Sequence, residues 1–420
     1  MTNNGLLDEV RRTRFELVRS GRWNEADQLA RDAVPGLEPA AVAYLPGLPK
    51  ARGRSDPDLF RAVQAANRGT GRAEASGIAQ RVLASAGSLD AGTFWQALTV
   101  LIHADEVALA HRYWAAATGH DLLGGRVMLL RGDPRAAVRL LDGALGRGIR
   151  PRVVAVAWLV LALRETGEFA RAHAVLETER LTGPLPERPD SAELCFARGR
   201  LLLAQGQSAL ALDDFLDCGR RLATWGVVNP AVVPWRSSAA LAAADLGDLV
   251  LARICADKDL VAARRWGGPR GIGLALHACA LARGGDDVLL EEALTCLGRA
   301  STAGEALRAR HDLAQLLLAR GAIERAREHT RRLREAKFCP QWTREADVLA
   351  SRLLRNDGES ALSGQERRIA LMARSGRSNR EIAAELGLTV RTVEIHLTAV
   401  YRKMGVAGRP GLRRALVPTA

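Results

Sequence analysis

Residues 159–176 read LVLALRETGEFARAHAVL: an apolar run, a glycine, then an amphipathic stretch carrying Ala170, Ala174 and Leu176. Gly167 predicts the end of one helix, because glycine enters the left-handed conformation that helix ends use. Ala172, five places later, predicts a second helix packed closely on the first, because its side chain is small. The same pair recurs at Gly21/Ala26, Gly132/Ala137, Gly206/Ala211, Gly247/Ala252 and Gly321/Ala326. Asp105/Ala110 and the segment around Gly285 read as weaker copies.

From Gly132 to Gly247 the copies lie about 35 to 41 residues apart. Helix–turn–helix units at that period resemble tetratricopeptide repeats and imply an α-solenoid, each unit burying its apolar face on the next. Most bulky consensus positions of strict tetratricopeptide repeats are absent, so the repeats are tetratricopeptide-like; the alternative is an irregular helical bundle. Proline- and glycine-rich stretches mark breaks at Pro35–Pro57 and Gly183–Pro189, and Arg355–Ser360 reads as a polar linker. The expected organisation is an N-terminal helical hairpin at 1–34, repeats at 58–182 and 190–354, a linker at 355–361 and a further domain at 362–420.

In that last segment the punctuation is local and dense. Ser363 with Glu366, and Ser378 with Glu381, form capping-box patterns, and Thr389 is placed to cap a third helix. Gly376 and Gly387 fall where helices should stop. Three short helices are expected to start near Ser363, Asn379 and Val390. In the third, Val393, Leu397, Val400 and Met404 make one apolar stripe, with Ile369, Met372, Ile382 and Leu386 as the facing core. Arg391, Thr392, Glu394, Ile395, Thr398 and Arg402 are left to point outward.

That outward set suits a helix in the DNA major groove. Glu394 can accept from a cytosine amino group, Ile395 can touch a thymine methyl, and Thr398 can bond either kind of base edge. Arg380, Arg391, Thr392 and Arg402 suit phosphates, which fix register without specifying sequence. From Ala361 onward the chain carries ten arginines and one lysine against four glutamates, about half of the whole chain's net charge of +13. A basic patch concentrated on one small helical segment is the electrostatic footprint of a polyanion partner.

Ser378–Ala383, Thr392–Leu397 and Tyr401–Val406 give residues 362–416 a close resemblance to the LuxR-type helix-turn-helix of bacterial transcription regulators. The resemblance implies that the helix from Val390 enters the major groove and that a fourth helix near Gly408–Leu416 serves as a dimer contact. Pro410-Gly411 departs from the family pattern there and puts the dimer contact in doubt. Gly219–Leu222, Asn229–Arg236 and Ala262–Gly273 are similar to the helical part of the large ATP-binding regulators of the LuxR type. No G-x-x-x-x-G-K-[ST] loop occurs in the 420 residues, so ATP binding is not carried over and the chain reads as a truncated or ATPase-free relative.

The expected fold is therefore all-α, a tetratricopeptide-like α-solenoid followed by a C-terminal four-helix LuxR-type domain. The expected function is sequence-specific DNA binding in transcription regulation, as an activator. Expected partners are promoter double-stranded DNA, RNA polymerase, a protein or small-molecule effector on the repeats, and a second copy of the chain. The rival is a tetratricopeptide-like adaptor whose terminal helices only dock proteins.

Other chemistry finds little support. No apolar run is long enough to span a membrane and no signal-peptide core opens the chain, so a cytoplasmic protein is expected. Cys195, Cys218, Cys255, Cys279, Cys296 and Cys339 are scattered and read as buried free thiols. His103, His111, Asp105 and Glu106 lack metal-ligand spacing, and no nucleophile context surrounds any serine, so neither metal, cofactor nor enzymatic activity is expected. Trp235-Arg236 and Arg264-Arg265-Trp266 read as core and edge residues before an effector pocket.

Overall fold

The computed structural model describes residues 57–415 except 86–88, 150–151, 187–189, 301, 337–339 and 361, with backbone alone at 340–341, 355–360 and 414–415. The expected hairpin at 1–34, Gly21/Ala26 and Cys339 lie outside the described residues. Every described element is helical. In order they are α1 (Pro57–Arg68), α2 (Arg72–Ala84), α3 (Ala91–His103), α4 (Val107–Ala115), α5 (Asp121–Leu130), α6 (Pro134–Gly146) and α7 (Arg152–Thr166). Then come α8 (Phe169–Thr178), α9 (Ser191–Ala204), α10 (Ser208–Thr224), α11 (Trp235–Asp245), α12 (Leu249–Trp266), α13 (Pro269–Ala282) and α14 (Asp287–Arg299). The last are α15 (Ala303–Ala319), α16 (Ile323–Arg334), α17 (Pro340–Ser360), α18 (Gly364–Arg374), α19 (Asn379–Leu386), α20 (Val390–Lys403) and α21 (Gly408–Ala415).

The glycine–alanine pair builds the repeat. Gly132, Gly167, Gly206, Gly247 and Gly321 all take φ between +74° and +83°. After each, the next N–H reaches back to close the helix: Asp133 to the Met128 carbonyl at 2.9 Å, Glu168 to Leu163 at 2.9 Å, Gln207 to Leu202 at 3.0 Å. This is the Schellman closure, and the residue that makes it also opens the next helix. Ala137, Ala172, Ala211, Ala252 and Ala326 then sit one turn in, at most 1 % exposed. A larger side chain there would wedge the two helices apart, at a cost of about 1–3 kcal/mol. Asp105 makes the same turn at φ +63° with Ala110 fully buried, so the weaker copy is a true one. Around Gly285 the turn is one residue longer, and Leu290 takes the alanine's place.

Two compact units divide the chain: residues up to Leu313 with Ala336–Gln341, and Ala314–Glu335 with Trp342–Ala420. In the first unit, odd-numbered helices from α1 to α13 pack on one another as well as on their even-numbered neighbours. They form an inner layer and are apolar nearly all round: α7 buries every residue from Val154 to Glu165. The even-numbered helices are amphipathic; α8 buries only Ala172 and Leu176. One apolar core runs from Leu59 to Ala293, straight through the break at Gly183–Pro189, so the two expected repeat segments share a core.

The first unit also closes on itself. The Val228 and Asn229 N–H groups both donate to the Asn67 carbonyl, at 3.0 and 3.1 Å, and the Asn229 amide donates to the Ala66 carbonyl at 2.6 Å. Trp266 Nε1 donates to the His103 carbonyl at 2.8 Å, and the Arg270 N–H to Asp105 Oδ2 at 2.9 Å. Trp266 is therefore a seam residue. Trp235 fills the space over Gly219, where a Cβ would lie 2.4 Å from its ring, and Arg236 stacks on Trp235 at 4.5 Å. His103, buried at this seam, is pushed down to about 3 chiefly by burial and so stays neutral. Among the described residues no group of acidic, histidine or cysteine side chains is arranged to hold a metal. Cys195, Cys218, Cys255 and Cys279 are buried free thiols, whereas Cys296 is only half-buried.

In the second unit α17 buries Trp342, Ala346, Leu349 and Leu353 on one face. Its backbone stays helical through Arg355–Ser360, the stretch expected to be a polar linker. Asn356, Asp357 and Gly358 are poor helix formers individually, but the helix reaches them already nucleated, and propagation costs far less than starting. No described helix is long and apolar enough to cross a membrane.

Candidate nucleic-acid interface

Each helix of the C-terminal segment starts where its cap places it. Ser363 Oγ accepts the Glu366 N–H at 3.2 Å while Glu366 Oε2 accepts the Ser363 N–H at 2.6 Å. The same exchange joins Ser378 and Glu381, at 3.3 and 2.6 Å. Thr389 Oγ1 accepts the Thr392 N–H at 3.1 Å and opens α20 at Val390. Gly376 and Gly387, at φ +96° and +65°, end α18 and α19 as glycine permits. Three helices and two tight turns are thus fixed by contacts spanning a few residues.

One face of α20 is consumed by packing. Val393, Leu397, Val400 and Met404 are at most 5 % exposed and meet Ile369, Ala370, Ala373 and Ile382 in a separate small core. Met372 and Leu386 join that core half-buried. Lys403 reaches across from α20 to α18 and holds both Glu366 carboxylate oxygens at 2.7–2.8 Å. That bond and the Ser363 capping bond hold the Glu366 carboxyl down at about 2. Lys403 is therefore committed to the scaffold.

The opposite face is open. Glu394, Ile395 and Thr398 are exposed, Ile395 to 62 %. Arg380, Arg391 and Arg402 are exposed too, and among the described residues none of them, nor Glu394, forms an ion pair. Two sites are more constrained than their residue types suggest. Thr398 Oγ1 donates to the Glu394 carbonyl at 2.8 Å, so outward it offers an acceptor and a methyl group. Thr392 is half-buried and its hydroxyl lies 2.7 Å from that of Thr389. His396 is half-buried beside this face.

α21 forms in spite of Pro410-Gly411. Pro410 lies in its first turn, where a missing N–H costs no helical bond. Gly411 has a packing reason: a Cβ there would stand 3.0 Å from Val406 Cβ. Leu412 is fully buried in the small core, and Arg409 caps the turn before α19, bonding the Arg377 carbonyl and Asn379 Oδ1. Neither Arg409 nor Lys403 stood out in the sequence, because each acts on a partner 30 or more residues away.

A scaffold helix, a tight glycine turn and a second helix with one packed and one open basic face make a helix-turn-helix. Residues 360–415 match the family model described as bacterial regulatory proteins, luxR family. This segment is a LuxR-type domain. With it the chain carries the DNA-binding part of a transcription regulator. The chain is similar in fold to a Rap protein whose crystal structure was determined in complex with competence and sporulation factor, at 14 % identity and a TM-score of 0.52 over 80 % of this chain and 98 % of that one. It is also similar, at 14 % identity and a TM-score of 0.41, to a chain of the APC/C hetero-tetramer Cut9–Hcn1, over 96 % of this chain and 74 % of that one. No curated protein matches it in sequence. The likeness to the Rap protein agrees with the layered helical repeats ahead of the LuxR-type domain.

Proposed function

We propose that the protein is a sequence-specific transcription activator in which α20 lies in the major groove of promoter DNA. Glu394, Ile395 and Thr398 read base edges, and Arg380, Arg391, Thr392 and Arg402 hold phosphates. The observation that carries this is the division of α20: an apolar stripe wholly spent on the core, and an opposite face of exposed side chains whose charged groups form no ion pair among the described residues. The DNA-binding domain spans 362–420 in this reading. α21, whose Pro410 and Arg413 are exposed, supplies the contact for a homodimer on a two-fold operator, and RNA polymerase is the downstream partner.

The repeats serve as the regulatory region. They bind a protein or small-molecule effector, and that binding changes how the LuxR-type domain meets DNA. The Rap protein, similar in fold and complexed with competence and sporulation factor, is a precedent for a bound partner on such a fold. The motifs at Asn229–Arg236 and Ala262–Gly273 support kinship with the helical part of the large ATP-binding regulators.

The test is selection of bound fragments from genomic DNA by the full-length protein at low salt, followed by gel-shift with the enriched sequence. An enriched motif with inverted half-sites is the expected outcome. Retention of no fragment above an unrelated duplex would overturn the proposal and leave the adaptor reading.

A further inference from the structure

Helices of the first unit line a cavity that opens to solvent. Arg126 enters it from α5, Arg164 from α7, Arg200 from α9, Arg270 from α13 and Arg308 from α15, while α11 contributes Ser237 and Ser238. Leu161, Phe196 and Leu274 supply apolar wall between them. Five arginines thus face two glutamates, Glu165 and Glu305.

Both acids have an arginine partner, although Glu165 Oε2 takes no hydrogen bond among the described residues and its carboxylate lies beside Gly304. Arg270 holds Glu305 through Nε at 2.8 Å and Nη2 at 2.5 Å, and Arg164 bonds Glu165. Arg308 has Asp312 at 3.8 Å, but Asp312 also takes His277 at 2.7 Å and His311 at 3.2 Å. Arg126 lies over the Trp158 ring at 5.6 Å, and Glu193 behind that ring accepts the Trp158 indole N–H at 3.2 Å. Arg200 differs. Among the described residues no carboxylate lies within ion-pair distance of it, and its hydrogen bond is to Ser238 Oγ at 3.5 Å. Burial, and then repulsion from Arg308, push Arg200 down to about 10. A guanidinium set among its own kind in a part-buried wall lacks the counter-charge that such groups normally require.

A second observation points the same way. α15 begins at this wall, with Thr302 just ahead of it and Gly304 and Glu305 in its first turn. Thr302 is 2 % exposed, and its hydroxyl makes no hydrogen bond among the described residues. A buried unspent hydroxyl beside the start of a 17-residue helix, whose dipole favours negative charge, asks for an anionic oxygen. The sequence carries a faint signal of the set. Arg126, Arg164, Arg200, Arg270 and Arg308 follow one another near the repeat period, with Ser238 standing where the series skips.

We propose that this cavity binds a small organic oxyanion, a carboxylate or phosphate ester with an apolar body, its charged end held by Arg200, Arg308 and Thr302. Guanidinium forks match both oxyanions. The proposal rests on the effector reading above only for its regulatory meaning.

Titration calorimetry of the full-length protein with octyl phosphate, octanoate and octanol, each below micellar concentration, tests it. One of the two anions binds saturably at one site per chain and names the oxyanion, while octanol binds at least about tenfold more weakly. Arg200→Met keeps the apolar stem, removes the charge and weakens the anion about tenfold or more, as does Arg308→Met. Should Arg200→Met fail to fold by circular dichroism, Arg200→Lys retains charge and weakens binding less than Arg308→Met. Unchanged affinity in the charge-removing variants overturns the proposal. So does octanol binding as tightly as the anions, or an acidic hexapeptide binding where neither small anion does. Gel-shift separates this from the DNA reading: an anion that binds without altering DNA affinity keeps the site and removes its regulatory role. Absence of DNA binding in every form removes the regulator reading and leaves the site standing.

Discussion

Glu394 and Arg391 stand three residues apart on the exposed face of α20 and are expected to fail in different ways. A carboxylate that accepts from one cytosine amino group contributes only where that base is present. Glu394→Ala should therefore lose about 1–3 kcal/mol of discrimination at a single base position and leave other positions untouched. An arginine on phosphate contributes everywhere. Arg391→Ala should weaken all sequences alike and reduce the salt slope of log K by about 0.9, one counterion contact. Gel-shift titrations on the selected site, its single-base variants and an unrelated duplex, each at several salt concentrations, separate the two. Identical losses on every duplex for both substitutions would remove Glu394 from base readout. Residue type alone placed these side chains outward, but it could not say that the Thr398 hydroxyl is spent on the Glu394 carbonyl or that Thr392 is drawn into the Thr389 cap.

At the scale of single elements the helices of the LuxR-type domain were almost fully legible, because a cap and its partner lie three residues apart. Ser363–Glu366, Ser378–Glu381 and Thr389–Thr392 fix three starts to within a residue. Contacts between elements were not legible. Glu366 was readable as a cap, yet its second role, holding Lys403 from 37 residues away, needs the fold. Polar composition marks Arg355–Ser360 as a linker, and there the preceding helix carries the backbone through. The doubled role of Glu366 has a pH consequence. Its carboxyl is lowered in the folded state from 4.5 to about 2, so its contribution is present above about pH 4.5 and is lost as pH falls toward 2. Amide-exchange protection of α18 and α20, corrected for the intrinsic rate, should fall over that window in the natural protein. Glu366→Gln should begin lower and fall less; parallel profiles would mean that the ion pair contributes nothing to the domain.

Across the whole molecule, the period of the glycine–alanine pair announced the repeats, but not that the first unit closes on itself. The closure joins residues some 160 places apart, Asn67 to Val228 and His103 to Trp266, and no local pattern encodes such a pairing. Asp105 is where the two levels meet, serving both as the left-handed residue of a repeat turn and as acceptor for the Arg270 N–H across the seam. Burial raises its carboxyl from 3.8 to about 6, with Arg270 and Arg72 offsetting only part of the shift. A raised folded value means that its contribution is fully present below pH 3.8 and is lost as pH climbs through 6. Above that, the buried charge costs up to roughly 3 kcal/mol. Asparagine keeps the acceptor oxygen, tolerates the left-handed backbone and carries no charge. Asp105→Asn should raise the melting temperature of the first unit, followed by tryptophan fluorescence, most strongly above pH 6. The gain should shrink steadily between pH 6 and 4. Asp105→Ala, which loses the acceptor as well, should melt lower than the natural protein at every pH below 6. An Asp105→Asn protein no more stable than the natural one at pH 8 would mean that the charge at the seam is matched by its arginines after all.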